Sequence, residues 1–156
     1  MKAVAYSIKT FEKEFLAKAN NKKHDITLIS NALSIETAIY SQGKEAVIVS
    51  VYDDVSEKII DLLAGFAVKY IATRSLGTDH IDKAAAAKHG IKIANVPYYS
   101  TQAPSQQIIS LTQQICLTHE ELQQIADQTI RNLDLWQQGK CTGKACCCTG
   151  NSFCKP

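Results

Sequence analysis

Cysteine is nearly missing from the body of this sequence. Five of its six cysteines, Cys141, Cys146, Cys147, Cys148 and Cys154, lie in the last sixteen of 156 residues and only Cys116 lies elsewhere, so no disulfide framework staples the body. No charge of one sign dominates: 17 Lys and Arg face 15 Asp and Glu, a formal charge of +2 spread as lysine and glutamate alternation. The densest basic spot, "NKKH" at Asn21 to His24, reads as a solvated turn, and no nucleic-acid or membrane patch is indicated. Long apolar runs are absent too. The opening "MKAVAYSIKTFEKEF" alternates apolar and charged residues, unlike a signal peptide, and no later stretch is long enough to span a bilayer. We therefore expect a cytoplasmic protein. With 46% hydrophobic and 21% charged residues it has the composition of a globular domain able to bury a core.

What the sequence does contain is alternation. From Lys2 to Val96 short apolar runs take turns with helical patterns. A strand is expected at Ala3 to Tyr6, then a helix after Thr10 with Phe11, Phe15, Leu16 and Ala19 on one face. "DITLIS" reads as a strand and Ile35 to Gln42 as a helix closed by Gly43. "AVIVSV", Ala46 to Val51, is apolar nearly throughout, as strands covered on both faces are, and marks the sheet centre. The helix of "SEKIIDLLAGF" turns Ile59, Ile60, Leu62 and Leu63 inward, and "VKYIAT" follows as a buried strand. "DKAAAAKHG" reads as a helix with a small-residue face and a Gly90 cap, and "IKIANV" as the last strand. Short connections of this kind demand a parallel sheet with right-handed crossovers and helices on both faces. Ligands then collect at the carboxyl edge, in the loops after Tyr6, Ile29, Val51, Thr73 and Val96.

Beyond Pro97, residues Ile108, Ile109, Leu111, Ile115, Leu117, Leu122, Ile125, Ile130, Leu133 and Trp136 recur at helical spacing. A capping box from Thr118 to Glu121 splits this region into two helices, and Gly139 ends it. The tail "KCTGKACCCTGNSFCKP" lacks apolar periodicity and is expected to hold little order. It offers no clean C-x-x-C pair, and three adjacent cysteines do not all face one zinc ion.

Three loops carry groups capable of chemistry. Asp53 and Asp54 form a carboxylate pair, but with Ser56 they stand where a helix cap belongs, and no catalysis is assigned to them. In "TRSLGTDHID", Thr73 to Asp82, the glycine allows a close backbone approach, so the amides of Leu76 and Gly77 could point at a carboxylate, helped by a helix beginning at Asp79. A plain strand-to-helix turn explains the same spacing, and His80 reads as a first-turn surface residue rather than a base. "NVPYYSTQAP" exposes Tyr98 and Tyr99 at the carboxyl edge, where a phenol either bonds a small ligand or covers the sheet end.

Taken together, "VKYIATRSLGTDHIDKAAAAKHGIKIANVPYYS", Val68 to Ser100, resembles the D-isomer-specific 2-hydroxyacid dehydrogenases, and within them the D-lactate branch. The matching elements are R-x-x-G-x-x-x-[VI]-D, then A-x-x-x-G-I-x-[VI], then V-P-x-Y-S, with likeness reaching back through "VSVYDDVSEKIIDLL" to "YSIKTFEKEFLAKAN". The resemblance implies a flavodoxin-like substrate domain over residues 1–100, a crossover helical segment over 101–139 and a Cys/Gly-rich tail over 140–156. It implies an enzyme, usually homodimeric, that binds NAD on a second, Rossmann domain and interconverts a small 2-keto acid with the D-2-hydroxy acid. By position, the backbone of Leu76 and Gly77 would hold the substrate carboxylate, Tyr99 would face the substrate, and Ser50, Val51 and Tyr52 would line the side-chain pocket. His80 becomes scaffold.

The likeness weakens from Thr101. Where the family has apolar residues or an E-H pair, this chain places Gln106, Gln107, Thr112, Gln113 and Gln114. The glycine-rich G-x-G-x-x-G of the nucleotide domain and the later arginine, glutamate and histidine of the family's chemistry have no counterparts here; "GKACCCTGN" lacks the spaced glycines. The expectation is a substrate domain separated from its Rossmann partner and inactive alone. The second reading is a non-catalytic flavodoxin-like binding module, whose helix 106–114 is adapted to solvent.

Overall fold

The computed structural model describes residues 1–96 and 118–142. Five strands, β1 (Lys2–Ala5), β2 (Asp25–Leu28), β3 (Ala46–Val49), β4 (Tyr70–Thr73) and β5 (Lys92–Ala94), alternate with helices α1 (Thr10–Asn20), α2 (Glu57–Gly65) and α3 (Lys83–Lys88). A fourth helix, α4 (His119–Gln137), follows. All neighbouring strands pair in parallel, in the order β2-β1-β3-β4-β5. This is the flavodoxin-like doubly wound order, in which strand order reverses between β1 and β3.

The strand sequences explain the layering. Side chains alternate across a sheet, and here one face is paved with alanine: Ala3, Ala5, Ala46, Ala72 and Ala94. Among the strands Ile48 is the fully buried large residue on that face, and most of the remaining bulk comes from the helices above it, as Phe15 and Leu16 of α1 and Ile130, Leu133 and Trp136 of α4. Trp136 stacks on Tyr70 with ring centroids 4.8 Å apart. The opposite face carries the large residues, Val4, Val47, Val49, Ile71 and Ile93, against Ile59, Ile60 and Leu63 of α2 and the small Ala85 and Ala86 of α3. Every residue of β3 is fully buried, as expected for the central strand. Burying each large aliphatic side chain here is worth about 1.5–3 kcal/mol.

Helix ends follow local sequence. Thr118 and Glu121 form the expected capping box of α4, and Asp82 accepts from the Ala85 amide to start α3. Gly90 and Gly139 both take φ near +70°, at +68° and +71°, and end their helices. No helix among the described residues is long and apolar enough to cross a membrane.

Four expectations are corrected. Ile35 to Gln42 is not an α-helix but carries a 3-10 turn, Thr37–Ser41. The Thr37 hydroxyl accepts from the Ser34 amide and donates to Ala32 O, which offers the backbone an alternative to helix. Phe11 is 59% exposed, whereas Phe15, Leu16 and Ala19 of α1 pack against the sheet and α4. The helix after Gly77 starts at Asp82, not Asp79. "NKKH" is solvated at Asn21 to Lys23 but not at His24, whose side chain is fully buried with Nε2 3.0 Å from Asp134 of α4. Lys23 Nζ meets the same carboxylate at 3.1 Å.

Burial pushes the His24 pKa below the usual 6.5, more strongly than Asp134 raises it. A histidine whose folded pKa is depressed contributes stability above its unfolded pKa and loses it as pH falls through the folded value. Urea midpoints are therefore expected to fall as pH drops below 6.5, with a shallower slope in His24→Gln. An unchanged slope in that variant would remove His24 from the acid response.

Candidate functional site

The loops at the carboxyl edge are tied together by two buried polar side chains. Asp53 is 2% exposed and accepts three hydrogen bonds: from Ser7 Oγ at 2.6 Å, the Leu33 amide at 2.9 Å and the Ser50 amide at 2.6 Å. Its donors come from the loops after β1, β2 and β3. Ser7 takes a φ of +52°, a left-handed conformation rare outside glycine. Asp53 is thus no helix cap, which corrects its sequence reading. Asp54 alone serves the helix start, accepting from the Ser56 amide at 3.0 Å.

Arg74 is the second tie. Its guanidinium donates to Tyr6 O at 2.9 Å and Ser7 O at 3.2 Å and pairs with Glu12, while its amide donates to Val49 O at 2.9 Å. The side chain is only 5% exposed, so one buried residue links the loop after β1, the end of β3 and the start of the turn after β4.

The turn after β4 rests on this frame, and its carbonyls are consumed one after another. Ser75 O accepts from the Val96 amide at 3.1 Å, Leu76 O from Asn95 Nδ2 at 2.6 Å, and Gly77 O from Ser75 Oγ at 2.7 Å. In a trans peptide the C=O and the following N–H point in opposite directions. Tying Ser75 O and Leu76 O inward therefore turns the Leu76 and Gly77 amides away from β5. Neither donates to a protein acceptor among the described residues. Leu76 is 47% exposed. Two open N–H groups on a braced backbone are what a small anion requires.

Backbone conformation does not require glycine at position 77. Its φ lies outside the left-handed region, and an added Cβ would meet Asp79 Oδ2 at 3.5 Å, an ordinary contact. The turn does not need glycine to form. Of the other expected site residues, Ser50 is half-buried, Val51 is 49% exposed and Tyr52 is 84% exposed, all in the loop after β3. Tyr99, the glutamines at 106–114 and the cysteines after Cys141 lie outside the described residues. The ledge is open to solvent. A cavity of about 230 Å³ lies at the other end of the molecule, lined by Met1, Glu45, Lys69, Tyr70, Trp136 and Gln137.

Asn95 and Asn132 escaped the sequence reading. Asn132, fully buried on α4, donates to Asn95 O at 3.1 Å, so the asparagine that holds Leu76 is itself held from the helix. The only signal was a polar residue inside the apolar stripe of α4.

The family model for the catalytic domain of D-isomer specific 2-hydroxyacid dehydrogenases matches residues 3–146. The chain belongs to that family. Among curated relatives, the D-lactate dehydrogenase of Escherichia coli is 33% identical over 112 residues, 71% of this chain and 34% of that protein. The apo structure of D-lactate dehydrogenase from Escherichia coli superposes with a TM-score of 0.62 at 35% identity, covering 64% of this chain and 32% of that one. The D-lactate dehydrogenase from Lactobacillus jensenii, solved with NAD+, gives a TM-score of 0.58 at 28% identity over 64% of this chain and 31% of that one. The chain spans about a third of the length of the curated relatives it matches.

The described residues do not fit a dinucleotide. The strand-to-helix turns before α1, α2 and α3 contain no glycine-rich run, and their helix starts are served by Glu12, Asp54 and Asp82. Acidic side chains there repel a pyrophosphate.

Replacing Asp53 with alanine strands Ser7 Oγ and the Leu33 and Ser50 amides. At about 1–3 kcal/mol for each buried group left unpaired, Asp53→Ala should lose about 3 kcal/mol or more, read as a shifted urea midpoint. A loss under about 1 kcal/mol would show that the loops are held by something else.

Proposed function

We propose that this chain forms the substrate-carboxylate wall of an NAD-dependent D-2-hydroxyacid dehydrogenase of the D-lactate type, acting on a small 2-keto acid or its D-2-hydroxy acid. The Leu76 and Gly77 amides hold the carboxylate, Tyr99 faces the substrate, and Ser50, Val51 and Tyr52 line the side-chain pocket. The observation that carries this reading is the run of tied carbonyls from Ser75 to Gly77, which leaves the Leu76 and Gly77 amides as open donors. Residues 1–100 act as the substrate domain, 101–139 as the crossover and 140–156 as a tail. NAD, the hydride donor's site and the proton donor belong to a Rossmann domain not formed by the described residues. A homodimer in the cytoplasm is the setting that goes with this chemistry.

The test is a titration of the 15N-labelled chain with pyruvate. Saturable shifts of the Leu76 and Gly77 amides are expected, with none from uncharged pyruvamide, and weakening of about fivefold in Asn95→Ala, for a lost hydrogen bond of about 1 kcal/mol. Shifts elsewhere, or equal response to pyruvamide, would refute the carboxylate role. The chain alone should oxidise no NADH with pyruvate; measurable turnover would refute the assignment of hydride and proton donors to another domain.

A further inference from the structure

Behind the Leu76 and Gly77 amides lies a hydrogen-bond chain whose proton order is determined. His80 Nε2 lies 3.3 Å from Thr73 Oγ1, Thr73 Oγ1 lies 2.7 Å from Ser75 Oγ, and Ser75 Oγ lies 2.7 Å from Gly77 O. A carbonyl only accepts, so the Ser75 proton goes to Gly77 O. Each hydroxyl has one proton to give. Ser75 must then accept from Thr73, and Thr73, its own proton spent, must accept from His80. The polarity runs one way, from the imidazole Nε2–H to the Gly77 carbonyl.

We infer that His80 is a positioning residue for the carboxylate ledge, acting in its Nε2–H form through Thr73 and Ser75 to lock the Gly77–Thr78 peptide. Locking that carbonyl inward turns the Thr78 N–H the other way, by the same trans-peptide relation that orients Leu76 and Gly77. Thr78 N donates to no protein acceptor among the described residues. The ledge therefore gains a third donor, controlled by His80 through Thr73 and Ser75. Thr73 is fully buried, so water does not compete at its hydroxyl. Burial holds the His80 pKa below 6.5, with Asp53 and Asp79 opposing; near neutral pH the ring is uncharged and the tautomer carries the information.

The inference rests on the carboxylate reading for its consequence but not for its geometry, and the experiment separates them. Imidazole 15N shifts of the intact chain at pH 7.5 should show His80 protonated at Nε2 and bare at Nδ1. The opposite tautomer would overturn the proposal whatever the ligand result. In a second arm, oxamate is titrated into the wild type, His80→Ala and His80→Gln. His80→Ala should bind about fivefold more weakly and shift the Thr78 amide. Glutamine, whose side-chain NH₂ can donate to Thr73, should restore both. Equal loss in Gln and Ala overturns the positioning role. Absence of oxamate binding by wild type overturns the carboxylate reading alone, and the tautomer with the Thr78 shift in His80→Ala then decides for or against His80.

Discussion

The carboxyl edge depends on one buried carboxylate. Asp53 gathers a hydroxyl and an amide from loops far away in sequence, together with an amide of its own loop, into a single site 2% exposed. In doubly wound sheets the crevice at the reversal of strand order, here between β1 and β3, is the usual place for a ligand. This chain fills that crevice with Asp53 and with the Arg74 guanidinium across the Tyr6 and Ser7 carbonyls. The open donors accordingly appear one strand further along, in the turn after β4. Blocking the first position and opening the second are the same structural decision, since Arg74 begins the turn that carries Leu76 and Gly77.

A second dependence runs through the alanine-paved face. Small residues in β1, β3, β4 and β5 let α4 sit closely enough for Trp136 to stack on Tyr70 and for Asn132 to reach the Asn95 carbonyl. Asn132 in turn accepts from Gln128 at 3.0 Å, so its amide is held from both sides. Packing and site geometry are therefore one network. Asn95 transmits the position of α4 to the Leu76 carbonyl with a single side chain.

The architecture was legible because it is written in periodicity. The all-apolar "AVIVSV" announced a strand covered twice, and the capping box at Thr118 announced the start of α4. What escaped was tertiary. Asp53 sits in a local pattern that imitates a helix cap, and only the donors from Ser7 and Leu33 reveal its other use. Phe11 shares helical spacing with Phe15 but not the neighbours that would bury it. His24 looked solvated beside two lysines until α4 supplied Asp134. In the site, the glycine turn was visible by likeness to a family, yet Asn95 and the Thr73–Ser75–His80 chain were not. Side-chain bonds to carbonyls leave no period in a sequence, and the chain's direction exists only once Gly77 O is known to be its end.

The consumed carbonyls have a consequence for selectivity. A ledge with both donors and acceptors on view would welcome ammonium groups, alcohols and amides along with carboxylates. Here Ser75 O, Leu76 O and Gly77 O each already accept one hydrogen bond, so a visiting N–H or O–H must share an acceptor with a partner already in place. In the proposed role, such a turn favours groups that bring lone pairs over those that bring protons.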